Sequence, residues 1–145
     1  GSKRAYAYSK HLQSEVVICY KQRLKANVID TMELIGHVEG KDVILVDDMI
    51  DTAGTLMEAT DALLGAGASE VHACCSHAVL SGPAGERISN SPLRSVVTTN
   101  SIPLGNELEN NSKIKVLSVA SLLGEAILRI HEETSVSSLF DSTRE

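Results

Sequence analysis

The sequence lacks tryptophan and has one phenylalanine and three tyrosines, so aromatic residues make up only 3% of its 145 residues. Proteins that bind single-stranded nucleic acid stack bases on aromatic side chains, and this chain has little material for such stacking. The chain also lacks an excess of positive charge, because its formal net charge is −6 and acidic and basic residues are mixed along it. We therefore expect no nucleic-acid partner.

Long hydrophobic runs and abundant cysteines are also missing. No stretch approaches the roughly 18 to 20 consecutive apolar residues of a membrane span, and the first residues lack the basic-then-apolar pattern of a signal peptide. The three cysteines, Cys19, Cys74 and Cys75, cannot form a closed set of intramolecular disulfides, which favours a reducing compartment. These absences predict a soluble, cytoplasmic protein with no membrane partner.

The apolar residues that are present suffice for one core. With 43% hydrophobic residues in 145, the chain is long enough to bury one core and too short to favour two. We predict a single domain over residues 1–145. Helical patterns occupy residues 3–12, 55–64, 81–88 and 120–133, and strand patterns occupy residues 15–20, 28–35, 42–46, 70–76, 94–98 and 114–119. This alternation predicts an α/β domain with a doubly wound, mainly parallel sheet flanked by helices.

Two acids follow the most hydrophobic strand pattern. Residues 42–46 include an uninterrupted Val-Ile-Leu-Val run, which is typical of a strand buried on both faces of a parallel sheet, and Asp47 and Asp48 come next. Ligands of such sheets bind outside the carboxyl ends of the strands. Adjacent carboxylates there can accept hydrogen bonds from vicinal sugar hydroxyls or help to hold a divalent cation through its waters. The alternative is a solvated acidic turn.

The next residues, Asp51, Thr52, Ala53, Gly54 and Thr55, combine small side chains and two hydroxyls with a predicted helix start. Small residues let the backbone approach an anion closely, and the amides of a first helical turn point toward it. The two threonines can donate hydroxyl protons, and Asp51 can orient the loop or cap the helix. We call residues 51–55 the phosphate loop. The alternative is an ordinary capped helix N-terminus.

The whole stretch VDDMIDTAGT, residues 46–55, resembles the phosphoribosyl-pyrophosphate motif of the type I phosphoribosyltransferase fold. Further features make the chain similar to the C-terminal half of the ribose-phosphate pyrophosphokinases: Lys21-Gln-Arg23, the segment GKDVIL at residues 40–45, HAVLSGPA at residues 77–84 and SVSSLF at residues 135–140. The resemblance extends over essentially all 145 residues. It implies one domain of a longer two-domain enzyme, which is inactive without its other half.

The resemblance implies that the enzyme transfers the β,γ-diphosphoryl group of ATP to the C1 hydroxyl of ribose 5-phosphate, with Mg²⁺ as cofactor. Lys21 and Arg23 would be the catalytic cations of a flexible loop, and Arg23 would also grip the substrate. Asp47 and Asp48 would bind the ribose hydroxyls, and the phosphate loop would bind the 5-phosphate. No metal ligand is assigned within this chain, because the family's metal-binding residues lie in the part that it lacks.

The resemblance also assigns a regulatory site and an assembly. Ser135 and Ser137 match positions that contact a regulatory anion at a subunit interface, and Phe140 would lie near the base of a regulatory nucleotide. The alternative is a hydrophobic tail that docks on the core, with serines at turns. The family assembles dimers into hexamers, so we expect a homo-oligomer.

Two other functions remain open. A nucleobase phosphoribosyltransferase shares the phosphate loop but would lack Lys21, Arg23 and the tail at residues 135–140. A non-catalytic regulatory homologue would keep the fold and lose the catalytic cations or the two acids, and this sequence retains them. The histidines and cysteines between His72 and His77 suggest a metal site, but they alternate between two faces of a strand and cannot converge. We therefore interpret that segment as structural.

Overall fold

A computed structural model of the chain describes residues 2–22 and 31–140. The helices are α1 (Ser2–Leu12), α2 (Gly54–Gly65), α3 (Ala84–Asn90) and α4 (Ala120–His131), followed by one 3-10 turn at Ser137–Leu139. The strands are β1 (Ile18–Gln22), β2 (Thr31–Ile35), β3 (Asp42–Ile50), β4 (Glu70–Ala78), β5 (Ser95–Thr99) and β6 (Ile114–Leu117). Each predicted helix and strand thus has a counterpart in the structure.

The strands form two sheets. β1 and β2 pair antiparallel, and β3, β4, β5 and β6 form a parallel sheet in that order. The core lies where this sheet meets its helices, and its members include Leu63 of α2, Val71 of β4, Ile88 of α3 and Val96 of β5, none more than 1% exposed. The predicted fold class, an α/β domain with a parallel sheet flanked by helices, is confirmed.

Strand β3 is longer than predicted. The hydrophobic run ends at Val46, so the prediction stopped there, but β3 continues through both acids to Ile50. Pairing with β4 explains the extension, because Met49 lies opposite His77 and Ile50 lies opposite Ala78. Ile50 is only 6% exposed and returns the strand to the core. Backbone pairing therefore carries the two acids as part of the strand, just before the loop that follows it.

The end of β1 also differs from the prediction. We expected Lys21 to lie in a loop after a strand at residues 15–20, but β1 runs from Ile18 to Gln22 and Lys21 lies opposite Met32 of β2. The predicted strand ends where the charged residues begin, whereas the backbone pairing of β1 with β2 continues past them. The predicted cation Arg23 lies outside the described residues.

Helix α4 has the predicted apolar stripe but does not bury it. Leu122, Leu123, Ile127 and Ile130 are 47%, 55%, 68% and 66% exposed, and no residue of α4 is buried. The 3.6-residue period correctly predicts the helix and says nothing about what covers its apolar face. Across residues 2–22 and 31–140, no helix has the length and apolar character needed to cross a membrane.

Candidate functional site

The phosphate loop joins the end of β3 to the start of α2. Ala53 is the N-cap residue of α2 and takes a left-handed backbone conformation, with φ 59° and ψ 11°. No side chain caps this helix, so Asp51 does not serve as the cap. The first helical hydrogen bond runs from the amide of Met57 to the carbonyl of Ala53. The amides of residues 54–56 therefore have no acceptor within the helix and are suited to a bound anion.

The glycine of the loop is not required by packing. A Cβ atom built on Gly54 would come no closer than 3.6 Å to another atom, Nη1 of Arg87, and Gly54 does not have a positive φ. An alanine would therefore fit the fold at this position. The sequence predicts that Gly54 keeps the loop open to a ligand, and a Cβ there would meet Nη1 of Arg87 at 3.6 Å and Oγ1 of Thr52 at 3.9 Å.

A cleft of about 420 Å³ brings the predicted site residues together. All five residues of the phosphate loop line it, along with Lys21 of β1 and Asp47 of β3. Lys21 and the loop are 30 positions or more apart in the chain, and the β1–β2 hairpin brings the lysine to the cleft. Asp48 does not line this cleft. The fold thus unites one predicted catalytic cation with the predicted phosphate site.

Arg4 of α1 contacts both acids of β3. Its Nη1 atom lies 3.5 Å from Oδ1 of Asp47, and its Nη2 atom lies 3.4 Å from Oδ2 of Asp48. Hydrogen bonding to the Asp47 carboxyl, then to backbone amides and more weakly the charge of Arg4, keeps the pKa of Asp48 below its ordinary value. The Asp48 carboxylate is thus an ionised acceptor at neutral pH. Sequence analysis missed Arg4, since an arginine on an exposed helix carries no local signal of its target.

The same contacts bear on metal binding. In residues 2–22 and 31–140, no three His, Cys, Asp or Glu side chains come together as a metal-binding group. A divalent cation bound directly by Asp47 and Asp48 would have to displace the guanidinium of Arg4. The geometry therefore disfavours a directly bound cation, and it is compatible with both ligands proposed from the sequence, sugar hydroxyls and a cation held through its waters.

Two cysteines border the cleft without adding reactivity. Cys19 and Cys74 line it, and burial raises the pKa of both thiols. Their neutral forms therefore dominate at neutral pH, and neither is an activated nucleophile. His72 and His77 form hydrogen bonds of 2.8 Å with Ser95 and Ser101, respectively, in keeping with the structural role predicted for that strand.

The residues predicted for regulation lie elsewhere. The hydroxyls of Ser135 and Ser137 are 2.7 Å apart, and Arg129 of α4 donates to the carbonyl of Ser135 at 3.1 Å. Phe140 is 70% exposed, so the tail is not docked on the core by this ring. None of the three predicted residues lines the cleft.

Comparison with known proteins identifies relatives over nearly the whole chain. The family model described as "Phosphoribosyl synthetase-associated domain" matches residues 3–141. Ribose-phosphate pyrophosphokinase of Oceanobacillus iheyensis is 53% identical over 141 residues, which are 97% of this chain and 44% of that protein. The corresponding protein of Caldanaerobacter subterraneus is 56% identical over 137 residues, 94% of this chain and 43% of that protein.

A solved structure also matches. The crystal structure of phosphoribosylpyrophosphate synthetase from Mycobacterium smegmatis superposes with a TM-score of 0.78 at 32% identity and covers 90% of this chain and 42% of that one. The chain therefore spans less than half the length of the relatives it matches. These comparisons do not uphold the prediction that the chain is the C-terminal half of such an enzyme. They establish its similarity to these proteins and the share of their length that it covers.

Proposed function

Because the chain belongs to the phosphoribosyl synthetase-associated domain family, we propose that it is one domain of a two-domain ribose-phosphate pyrophosphokinase. The enzyme transfers the β,γ-diphosphoryl group of ATP to the C1 hydroxyl of ribose 5-phosphate, giving phosphoribosyl pyrophosphate and AMP. The observation that carries this proposal is the cleft in which Lys21 and the phosphate loop meet. The rest of the enzyme supplies the ATP contacts.

The cleft suits ribose 5-phosphate at its phosphate end. The 5-phosphate accepts hydrogen bonds from the amides at the start of α2 and from the hydroxyls of Thr52 and Thr55, where the positive end of the helix dipole adds attraction. Asp47, which lines the cleft, and Asp48, which Arg4 joins to it, accept hydrogen bonds from the ribose hydroxyls. Arg4 then shifts from its contact with these acids or shares them with the sugar.

Transfer requires little covalent work from the protein. The oxygen of the C1 hydroxyl attacks the β-phosphorus of ATP, the bond from that phosphorus to the oxygen bridging it to the α-phosphorus breaks, and AMP leaves with that oxygen. The hydroxyl proton passes to water. Charge spreads over the phosphoryl oxygens during this exchange, so Lys21 stabilises the transition state from the cleft that it lines. We propose the same role, with a grip on the substrate, for Arg23.

Mg²⁺ is the proposed cofactor, and it neutralises phosphate charge when it is bound with ATP. The described residues of this chain do not form a dedicated cage for it, so its ligands would be the ATP phosphates and the rest of the enzyme. The finer expectations also stand as proposals: a cytoplasmic enzyme, dimers assembled into hexamers, and a regulatory anion site at Ser135 and Ser137 with Phe140 beside it. The paired hydroxyls and the exposed ring support the last of these.

Two measurements test the proposal. The full-length enzyme that contains this chain should release AMP from ATP only when ribose 5-phosphate and Mg²⁺ are both present, and isotopic label from the β-phosphate should appear in phosphoribosyl pyrophosphate. Absence of ribose-dependent AMP would exclude the diphosphokinase. Release of pyrophosphate from phosphoribosyl pyrophosphate in the presence of a nucleobase would instead identify a phosphoribosyltransferase, and inactivity with both substrates would favour the regulatory homologue.

A further inference from the structure

Two residues of one segment hold the phosphate loop from outside the cleft. The hydroxyl of Ser81 donates a hydrogen bond to Oδ1 of Asp51. Nη1 of Arg87 donates to the carbonyl oxygen of Thr52 at 2.7 Å. Neither Ser81 nor Arg87 lines the cleft, so both act on the outer side of the loop.

Helix α3 gives Arg87 a fixed base. Ala84 and Ile88 are both 0% exposed, so the helix is anchored in the core on either side of Arg87 in sequence. The Nη1 atom of Arg87 also lies 3.6 Å from the position of a Cβ atom built on Gly54. A charged group attached to an anchored helix therefore lies against the outer surface of the loop.

The bond to Thr52 determines the orientation of the next amide. The described residues contain no cis peptide bond, so the peptide between Thr52 and Ala53 is trans and its N–H points opposite to its carbonyl. With the carbonyl directed at Arg87, the N–H of Ala53 points away from α3, toward the side of the loop that lines the cleft. A cation at the carbonyl also polarises the peptide and strengthens its N–H as a donor.

The conformation of Ala53 shows that the loop needs such support. Its φ of 59° is in the left-handed region, which costs a non-glycine residue on the order of 1 kcal/mol or more. Ala53 is only 4% exposed, so its methyl group is fixed in the core while its backbone is strained. Strain of this kind persists only where neighbouring contacts hold it, and Arg87 bonds the peptide that enters this residue.

We propose that Arg87 is the positioning residue of the phosphate loop: by binding the carbonyl of Thr52, it directs and strengthens the Ala53 amide and so sets the affinity for the phosphate group of the ligand. This inference rests on the proposed function, which supplies ribose 5-phosphate as that ligand. Arg87 acts through the peptide bond and does not touch the phosphate. Sequence reasoning missed it because the contact joins α3 to a loop 35 positions earlier.

The test compares the chain with its Arg87→Met and Arg87→Lys variants. Binding of inorganic phosphate and of ribose 5-phosphate is measured by calorimetry, and the Ala53 amide is followed by ¹H–¹⁵N NMR before and after phosphate is added. Loss of a charge-assisted hydrogen bond should weaken binding about tenfold in Arg87→Met. The Ala53 amide proton should move upfield in that variant even without ligand, and lysine, which keeps the charge, should restore part of both effects. Arg94→Met is the matched control, because Arg94 is 68% exposed beside Glu70 and outside the cleft.

The outcomes separate this inference from the proposed function. If the parent chain does not bind ribose 5-phosphate, the proposed ligand is wrong, and the Ala53 resonance of the ligand-free variants still tests the role of Arg87. If the parent binds and Arg87→Met binds equally well, the inference about Arg87 is wrong and the ligand assignment stands. If Arg87→Met does not fold, Arg87→Lys decides: an affinity and an Ala53 resonance identical to those of the parent would overturn the proposal.

Discussion

The Nζ atom of Lys21 lies 3.1 Å from Oε2 of Glu58, an acid one turn into the helix that follows the phosphate loop. The second carboxylate oxygen of Glu58 accepts from the same nitrogen at 3.3 Å. The predicted catalytic cation is therefore held against α2, beside the cleft it lines. The side chains are 31% and 50% exposed, so water screens the pair and its worth is only about 0 to 1 kcal/mol. A phosphate group can thus compete for Lys21 at small cost.

Removing the charge of Glu58 should strengthen binding of the anionic substrate. In Glu58→Gln, Lys21 loses a neutralising partner, and we expect the Kd for ribose 5-phosphate to fall about two- to fivefold. Titrations at low and high salt measure this, and the gain should shrink as salt screens the charges. Glu132→Gln is the matched control, since Glu132 follows α4 and does not line the cleft. An equal gain in that variant would mean that net charge, not the Lys21 contact, is responsible.

Lys21 itself should matter for turnover more than for binding. In the full-length enzyme, Lys21→Ala should lower kcat about 100- to 1,000-fold, because the cation acts on charge that develops in the transition state. The affinity for ribose 5-phosphate should change much less. Rapid-quench measurement of AMP gives kcat, and calorimetry gives the affinity. Lys115→Ala on the exposed part of β6 controls for the loss of one positive charge; parent-like turnover in Lys21→Ala would show that the catalytic assignment is wrong.

A substitution at Gly54 should affect ligand binding much more than folding. Since a Cβ on Gly54 meets nothing closer than 3.6 Å, Gly54→Val should leave the fold intact and change the free energy of unfolding by about 1 kcal/mol or less. The affinity for ribose 5-phosphate should fall at least about tenfold, because the valine side chain crowds Nη1 of Arg87 and Oγ1 of Thr52 and so disturbs the loop that presents the backbone amides. Urea unfolding and calorimetry measure the two effects.

Gly65, at the other end of the same helix, supplies the control for that substitution. A Cβ on Gly65 meets nothing within 4 Å, and Gly65 does not line the cleft. Gly65→Val should therefore share any effect of valine on helix stability and retain parent-like affinity. Equal affinities for the two variants would show that the phosphate does not approach the loop at Gly54.

The sequence predicts a helix or strand well where its hydrophobic period stops at a residue that favours a turn. Helix α2 was expected to end near Gly65 and Gly67, and Gly67 has the φ of 93° that such a helix end requires. The predicted ends of strands differ from the structure where backbone pairing continues through charged side chains. β3 passes through two acids, and β1 includes Lys21, because a hydrogen-bonded ladder does not end at a charge.

The residues of the candidate site also divide into those that the sequence predicts and those that only the fold brings together. The phosphate loop lies within the motif at residues 46–55, and its residues are consecutive in the chain, so the sequence could predict it. The residues that support it, Arg4, Ser81 and Arg87, come from other helices and turns, and no local pattern indicates their targets. Only the packing of α1 and α3 against the sheet brings Arg4 to the two acids and Arg87 to the loop. Such contacts are a property of the tertiary fold.

The lowered pKa of Asp48 predicts how binding responds to pH. A carboxyl with a lower pKa in the folded than in the unfolded state contributes stability above its unfolded pKa of about 3.9, and this contribution is lost as pH falls through the folded value. Asp48 therefore stays ionised from pH 5 to 8. Within that window the affinity for ribose 5-phosphate should rise with pH only through the second ionisation of the phosphate, near pH 6.

Asp48→Asn tests which group titrates. The variant should bind ribose 5-phosphate more weakly at every pH, because a neutral amide is a poorer acceptor for the ribose hydroxyls than a carboxylate. The midpoint of its pH dependence should stay near pH 6, since the phosphate and not Asp48 changes charge there. Calorimetry from pH 5 to 8 gives the affinities, and ¹³C NMR of the carboxyl carbons follows Asp48 directly in the parent. A carboxyl resonance of Asp48 that titrates between pH 5 and 8, or a flat profile in Asp48→Asn, would show that Asp48 itself controls binding in this range.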